Sequence, residues 1–472
     1  MTESPARRET QVRRRSGRQL LALMAGAAAA CLSGGIWALW VYRHQEQLWS
    51  MLDLHTFDWG GQTVRTDPAA LYVGGSVFLY PPFAALVLAG LSTMSFETLK
   101  LVEAASVTGS VFAVIWLTLG LATRGNAEPM PCPSRLAATL ALGAAAIWLE
   151  PVQQTLYYGQ VSALLMLLVV TDLALADRHW YKGVLIGLAT GVKLIPGLFV
   201  VYLLLTRRFR AAGVASASFL CTVAAGFAVL PEQSRQFWAP AGLTSLSGRA
   251  PLAYVVNQSL NGYLVRTSAS PEAAHGPWLV AAAAVTLAGL AVAVALQRGV
   301  GELGGMLATA LVSLLVSPIS WTHHWVWVVP GLVWGSHAVG TAHRRWAGLP
   351  LAIYALFFAY PMRIALTGAW DDRLALLPKG LVWTMPRMDY REKTWDLGQQ
   401  VVGNLYSLVG LVVLVLALVW ALRRRARRPP PKTLFVHHQV SIASARVTGG
   451  ANRRRPRTQP SRRPTPGLLV LD

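Results

Sequence analysis

Two carboxylates stand five residues apart in "SMLDLHTFDWGG" (residues 50–61), Asp53 and Asp58. Leu52, Leu54, Phe57 and Trp59 crowd them. A carboxylate held against apolar and aromatic groups loses hydration, which raises its pKa and strengthens it as a base. The chemistry such a group performs is removal of a proton from an attacking hydroxyl. A second cluster, "SPISWTHHWVW" (317–327), sets His323 and His324 at the start of an apolar run behind Pro318. Paired imidazoles there offer hydrogen-bond donors to an anion, aided by the positive end of a helix dipole. Anchoring in an interfacial aromatic belt accounts for Trp321, Trp325 and Trp327 but not for the histidines. Lys193 lies inside an apolar run and needs a partner, a phosphate for example or a helix carbonyl terminus, or a water-filled cavity. Amides and phenols complete the inventory. Asn257, Gln258 and Asn261 in "NQSLNGYLVR" suit sugar hydroxyls, as do Tyr157, Tyr158 and Gln160 in "EPVQQTLYYGQ".

No metal-ligand spacing, phosphate-binding glycine loop or nucleophile–histidine–acid order accompanies these groups. Cys31, Cys132 and Cys221 are scattered and odd in number, so they read as structural.

These residues must be positioned by membrane helices. The chain has 472 residues, of which 54% are hydrophobic and only 13% charged. Its long continuous apolar runs separated by short polar breaks predict an all-α polytopic membrane protein rather than a barrel. Spanning segments are expected at 20–42, 99–122, 136–149, 160–177, 211–230, 277–297, 302–318, 325–339, 349–367 and 400–421. The run 182–205 is flanked by cytoplasm-type charges on both sides, with Gly191, Lys193 and Pro196 at its middle. It reads as two short helices broken there, giving about twelve helical elements with both termini cytoplasmic. Residues 81–94, short and opened by two prolines, read as an interfacial or re-entrant element on the outer side. This topology puts all four polar clusters on one outer face, with outer segments at about 43–98, 231–276 and 368–399.

The net charge of +21 sits mostly at the ends: six arginines against two glutamates in residues 1–18, thirteen Lys/Arg against one acid in 422–472. That distribution fits cytoplasmic tails drawn to anionic headgroups, and no aromatic residues interleave the arginines as a nucleic-acid surface requires. The expected organisation is a basic tail (1–19), a catalytic membrane domain (20–422) whose first helix is an uncleaved anchor, and a disordered Arg/Pro-rich tail (423–472).

Taken in order, "LDLHTF", "YPPFAALVLAGL", "EPVQQTLYYGQVSALLMLLVVTDL", "GVKLIPGLFVVYLLLTRRFRAA", "NQSLNGYLVR" and "SPISWTHHWVWVVP" resemble glycosyltransferase family 87. The resemblance covers about residues 51–338 and leaves out both tails. It implies a GT-C type multi-helix enzyme of the plasma membrane with a periplasmic site. The donor would be polyprenyl-phosphate-mannose. The acceptor would be a glycolipid, a phosphatidylinositol mannoside or lipoarabinomannan chain, with an α-1,2 linkage favoured by family precedent. The family's early carboxylate pattern maps onto Asp53, Leu54 and Phe57. Phe57 stands where the family has Tyr and Asp58 follows at once, so both acids are candidates for the base. His323 or His324, with Lys193 or Arg65, would stabilise the departing phosphate. The full candidate substrate-binding set is Arg65, Tyr80, Tyr158, Gln160, Lys193, Asn257, Gln258, Asn261 and Trp321. No cofactor and no metal is expected. Rival readings are the same architecture using a polyprenyl-phosphate-arabinose donor, and a lipid or solute transporter suggested by the broken helix at Lys193.

Overall fold

Long apolar stretches with few helix breakers fold as helices because each must satisfy its own backbone where no water can. In a computed structural model of the protein the described residues are 5–73, 76, 78–124, 129–239, 251–342, 348–365, 374–387 and 391–426. The C-terminal tail from residue 427, with its expected disorder, lies outside them.

The chain opens with α1 (Pro5–Arg43), followed by α2 (Leu52–Thr66), α3 (Pro82–Leu91), α4 (Phe96–Ala122) and α5 (Cys132–Ala146). Next come α6 (Glu150–Tyr158), α7 (Ser162–Ala174), α8 (Val184–Val192), α9 (Leu198–Leu205) and α10 (Phe209–Val229). Then follow α11 (Pro231–Trp238), α12 (Leu260–Thr267), α13 (Pro271–Val300), α14 (Glu302–Val316), α15 (Val328–Ala342) and α16 (Gly348–Leu356). A hairpin of β1 (Tyr360–Ala365) and β2 (Leu374–Lys379) precedes α17 (Leu397–Gly403) and α18 (Leu405–Ala426). Helix α13 packs along α14, α1 along α5, α10 along α8, and α4 along α7.

Among the described residues, five helices are long and apolar enough to cross a membrane: Ser16–Arg43, Phe96–Ala122, Phe209–Val229, Pro271–Val300 and Leu405–Arg425. A sixth arises if α6 and α7, bent by 118° at their junction, count as one span. The other apolar helices are shorter, as at Pro82–Leu91 and Glu302–Val316. One departure has a clear cause. The expected span 349–367 is helical only over Gly348–Leu356, because Pro361 cannot continue a helix and Tyr360–Ala365 pairs antiparallel with Leu374–Lys379. The segment 43–98, expected on the outer side, is helical in α2 and α3.

The expected break at Lys193 is present. Helix α8 ends at Val192, Lys193 is extended, and a 3-10 turn over Ile195–Gly197 starts α9. Beyond α9, Arg208 forms a bidentate pair with Glu302 of α14, and the Tyr202 hydroxyl donates to the same carboxylate at 3.0 Å. Cys31, Cys132 and Cys221 are unpaired.

Candidate active site

Helix α2 carries its chemistry on one face. Asp53, Thr56 and Phe57, at i, i+3 and i+4, line a cavity of about 340 Å³. Asp58 lies about 140° further round the helix at 100° per residue. It does not line the cavity and instead accepts from Gln62 at 2.8 Å. Leu54 and Phe57 are buried against the bundle, which fixes the helix's rotation and so the direction of Asp53.

Gln160 reaches the cavity through the end of α6. Gly159 terminates α6 with φ of 68°, a left-handed conformation that side chains resist. A β-carbon there would stand 2.7 Å from Leu54 Cβ of α2. This close approach is what brings Gln160 Nε2 to 2.6 Å from Asp53 Oδ2. Tyr80 donates from its hydroxyl to Gln160 Oε1 at 3.2 Å and meets Phe57 edge-on at 5.0 Å. Gly159→Ala is therefore expected to combine backbone strain of about 1 kcal/mol with displacement of Gln160. Transfer should fall more than thermal stability does, checked by assay and melting curve on one preparation.

The opposite wall is cationic. Lys193, freed from helical geometry at the α8–α9 break, sets its ammonium 2.8 Å from His324 Nε2 and 5.3 Å from the Tyr80 ring centroid. An ammonium only donates, so His324 Nε2 accepts and its proton belongs on Nδ1. That Nδ1 is buried without a partner, as is His323 Nε2. Burial, reinforced by the Lys193 charge, holds both imidazoles well below the ordinary histidine range, so both are neutral. Asp53 shows the reverse. Burial raises its carboxyl above the ordinary value, while the Gln160 hydrogen bond and the Lys193 charge pull it partly back.

Trp321, Pro318, Ile319, Leu79, Ile195 and Phe237 complete the wall. The structure thus brings Asp53, Tyr80, Gln160, Lys193, Trp321 and His324 together around one cavity. His323 stands behind His324 with ring centroids 4.6 Å apart, and Tyr158 packs 5.8 Å from His323. Neither lines the cavity. Arg65 is exposed at the far end of α2 and donates to the Ser92 carbonyl at 3.3 Å.

Asn257, Gln258 and Asn261 are buried beside the cavity rather than in it. Asn257 Oδ1 accepts from Ser320 N at 2.9 Å and Asn261 Nδ2 donates to Pro318 O at 3.1 Å. Gln258 Nε2 donates to Val255 O and Gly403 O, and its Oε1 accepts from Tyr406 N. The Asn257 and Asn261 amides hold the Pro318–Ser320 turn from which Trp321 and His324 project, while Gln258 ties this loop to α17 and α18. In a loop, such a run of amides looks the same for backbone clamping as for sugar binding.

Sequence reasoning missed Phe237 and a buried ionic cluster. Glu150, fully buried, accepts from Trp383 Nε1 at 2.8 Å and the Tyr406 hydroxyl at 2.9 Å. Lys379, only 2% exposed, donates to Gln154 Oε1 at 2.8 Å. A lone charge inside "WLEPV" and another inside "LALLPKGLVW" were the available signals. Among the described residues no group of three or more His, Cys, Asp or Glu could hold a metal.

The arrangement offers a desolvated carboxylate facing a cation and the neutral imidazole of His324 across a largely apolar cavity. This is the equipment for displacing an anionic leaving group with a deprotonated hydroxyl. Asp58→Asn, which lies off the cavity wall, is expected to leave transfer close to the wild-type rate. Initial rates at saturating substrates check this.

Comparison with known proteins gives concordant results. The model of glycosyltransferase family 87 matches residues 78–318, just over half of the chain. A polyprenol-phosphate-mannose-dependent alpha-(1-2)-phosphatidylinositol pentamannoside mannosyltransferase of Mycobacterium tuberculosis (strain CDC 1551 / Oshkosh) is 34% identical over 381 residues. The match covers 76% of this chain and 82% of that one. The protein of the same description from Mycolicibacterium smegmatis is 31% identical, over 66% of this chain and 78% of its own. A polyprenol-phosphate-mannose-dependent alpha-(1-2)-phosphatidylinositol mannoside mannosyltransferase of M. tuberculosis (strain ATCC 25618 / H37Rv) is 30% identical, over 90% of this chain and 96% of its own. No solved structure matches. The chain belongs to glycosyltransferase family 87.

Proposed function

We propose that this chain is an inverting α-mannosyltransferase. It moves mannose from a polyprenyl-phosphate-mannose donor to a phosphatidylinositol mannoside or a related lipomannan or lipoarabinomannan chain, forming an α-1,2 bond. The observation that carries this reading is Asp53 facing the Lys193–His324 pair across one cavity, in a family whose relatives bear mannosyltransferase names. Asp53 takes the proton of the acceptor hydroxyl as that oxygen attacks the anomeric carbon. Among the described residues its hydrogen-bond partner is Gln160, on Oδ2, which leaves Oδ1 for the incoming hydroxyl. The bond to the phosphate oxygen breaks as the new bond forms, and one displacement inverts the anomeric centre. The Lys193 ammonium and the His324 N–H stabilise the charge gathering on the phosphate. No step requires a metal or cofactor.

The arginine-rich ends support cytoplasmic termini, and with them a cavity on the outer side of the plasma membrane. The C-terminal tail would serve as a headgroup anchor. A transporter is disfavoured because its substrate path would need charged groups at mid-membrane in both halves.

The test is purified protein in lipid nanodiscs given polyprenyl-phosphate-mannose or polyprenyl-phosphate-arabinose with phosphatidylinositol mannosides. Mannose transfer with linkage-specific mannosidase release of the product is expected. Transfer of arabinose alone would move the reading to the other donor, and transfer of neither sugar would remove it.

A further inference from the structure

The cavity accounts for one reactant only. A single displacement requires the acceptor oxygen to approach the anomeric carbon from the side opposite the leaving phosphate. The acceptor must therefore reach Asp53 from somewhere other than the Lys193–His324 wall. None of the residues considered next lines the cavity.

Beside Asp53, at the end of α6, the Tyr157 and Tyr158 rings meet edge-on at 4.8 Å, both half-buried. Gln160, two residues beyond Tyr158, bonds Asp53 at 2.6 Å, so this pair of rings adjoins the base. The Lys379 ammonium lies under them, 3.9 Å from the Tyr157 centroid and 4.1 Å from that of Trp383. Tyr254 meets Trp383 edge-on at 6.4 Å. Arg387 lies 5.5 Å from the Trp383 ring and donates to the Trp383 carbonyl at 2.9 Å. Its Nε is buried without a hydrogen-bond partner among the described residues.

The cluster is costly to build, because both Lys379 and Glu150 are taken out of water. What that expense fixes is a platform of half-exposed phenols and a guanidinium on three separate chain segments. Aromatic faces stack on the apolar face of a pyranose, phenols both donate and accept, and a guanidinium binds vicinal hydroxyls or a phosphate.

We propose that Tyr157, Tyr158, Tyr254, Trp383 and Arg387, on the floor made by Lys379, form the subsite for the carbohydrate end of the acceptor. The subsite rests on the mannosyltransferase reading for its substrate class. Its ligand is an oligomannoside, and its occupancy presents the terminal sugar hydroxyl to Asp53. Lys379 acts through the rings above it, as a positioning residue.

The experiment uses the full chain in nanodiscs and a phosphatidylinositol mannoside mixture as probe. Two readouts are needed, the KM for acceptor and for donor in the transfer assay, and acceptor binding without donor by co-sedimentation of radiolabelled probe. Tyr254→Phe removes one hydroxyl and Arg387→Gln the charge. Each is expected to raise the acceptor KM about tenfold and to weaken donor-free binding equally, with donor KM and melting temperature unchanged. Arg387→Lys should recover part of the loss. Lys379→Met should lower kcat as well, through misplaced rings. Unchanged acceptor KM and binding in both Tyr254→Phe and Arg387→Gln would overturn the subsite, as would equal rises in both KM values. If the wild type transfers no mannose yet the variants still lose probe binding, the donor assignment fails and the subsite stands.

Discussion

Asp53→Asn is expected to lower mannose transfer by about 10²–10⁴-fold, the range general-base catalysis contributes. The amide keeps the size and the contact with Gln160 but cannot take a proton. The pH dependence follows from the environment of the carboxyl. Burial raises it above the ordinary 3.8 despite the opposing Gln160 hydrogen bond and Lys193 charge. The base works only when ionised, so kcat/KM should fall as pH drops through that raised value, with an acid limb above the ordinary carboxylate position. Stability moves the other way. Between 3.8 and the raised value the folded chain holds the proton that the unfolded chain has released. Stability therefore falls as pH rises through this window, and at neutral pH the ionised side chain opposes folding. Asn removes that opposition. The variant should melt no lower than wild type at neutral pH while being nearly inactive, and parallel melting and transfer curves measure both.

Lys193→Met carries the second large effect. Methionine fits the stem of the lysine and an apolar break between α8 and α9, so folding should survive. What is lost is the ammonium facing the leaving phosphate, and with it the donor that fixes the His324 tautomer. By analogy with removal of one oxyanion donor, kcat should fall about 10²–10³-fold. Donor KM should move less, because the interaction strengthens as charge develops on the phosphate rather than in the bound ground state. A donor whose phosphate is replaced by a more acidic leaving group should narrow the gap between variant and wild type. An equal deficit with both donors would place Lys193 outside charge stabilisation.

The parts of this fold legible in the sequence are those set by composition over short stretches. The Lys193 break could be read because Gly191 and Pro196 bracket a lone charge in an apolar run, and a helix cannot bury that charge without a partner. The choice between Asp53 and Asp58 could not be made, because it depends on helix α2, which places the two about 140° apart. Leu54 and Phe57 were the helical signal there, obscured by Gly60 and Gly61. The hairpin was hidden for a different reason. Residues 349–367 are apolar enough for a span, and hydropathy does not distinguish a helix from a strand that begins at Tyr360. The internal hydrogen bonds of Asn257, Gln258 and Asn261 could not be foreseen, because polarity in a loop does not say whether a backbone turn or a ligand takes them. The Glu150 and Lys379 cluster joins residues more than two hundred positions apart, and no local pattern encodes such a meeting.

The central claim is that one carboxylate, aimed by α2 at the cavity, serves as base for mannose transfer. Its most direct test compares Asp53→Asn with Asp58→Asn in a single-turnover transfer from polyprenyl-phosphate-mannose to phosphatidylinositol mannosides. Both should be in nanodiscs and checked for equal melting. The account predicts collapse of the transfer rate in Asp53→Asn alone, with Asp58→Asn tracking wild type. Near-normal transfer by Asp53→Asn, or collapse in Asp58→Asn instead, would contradict it.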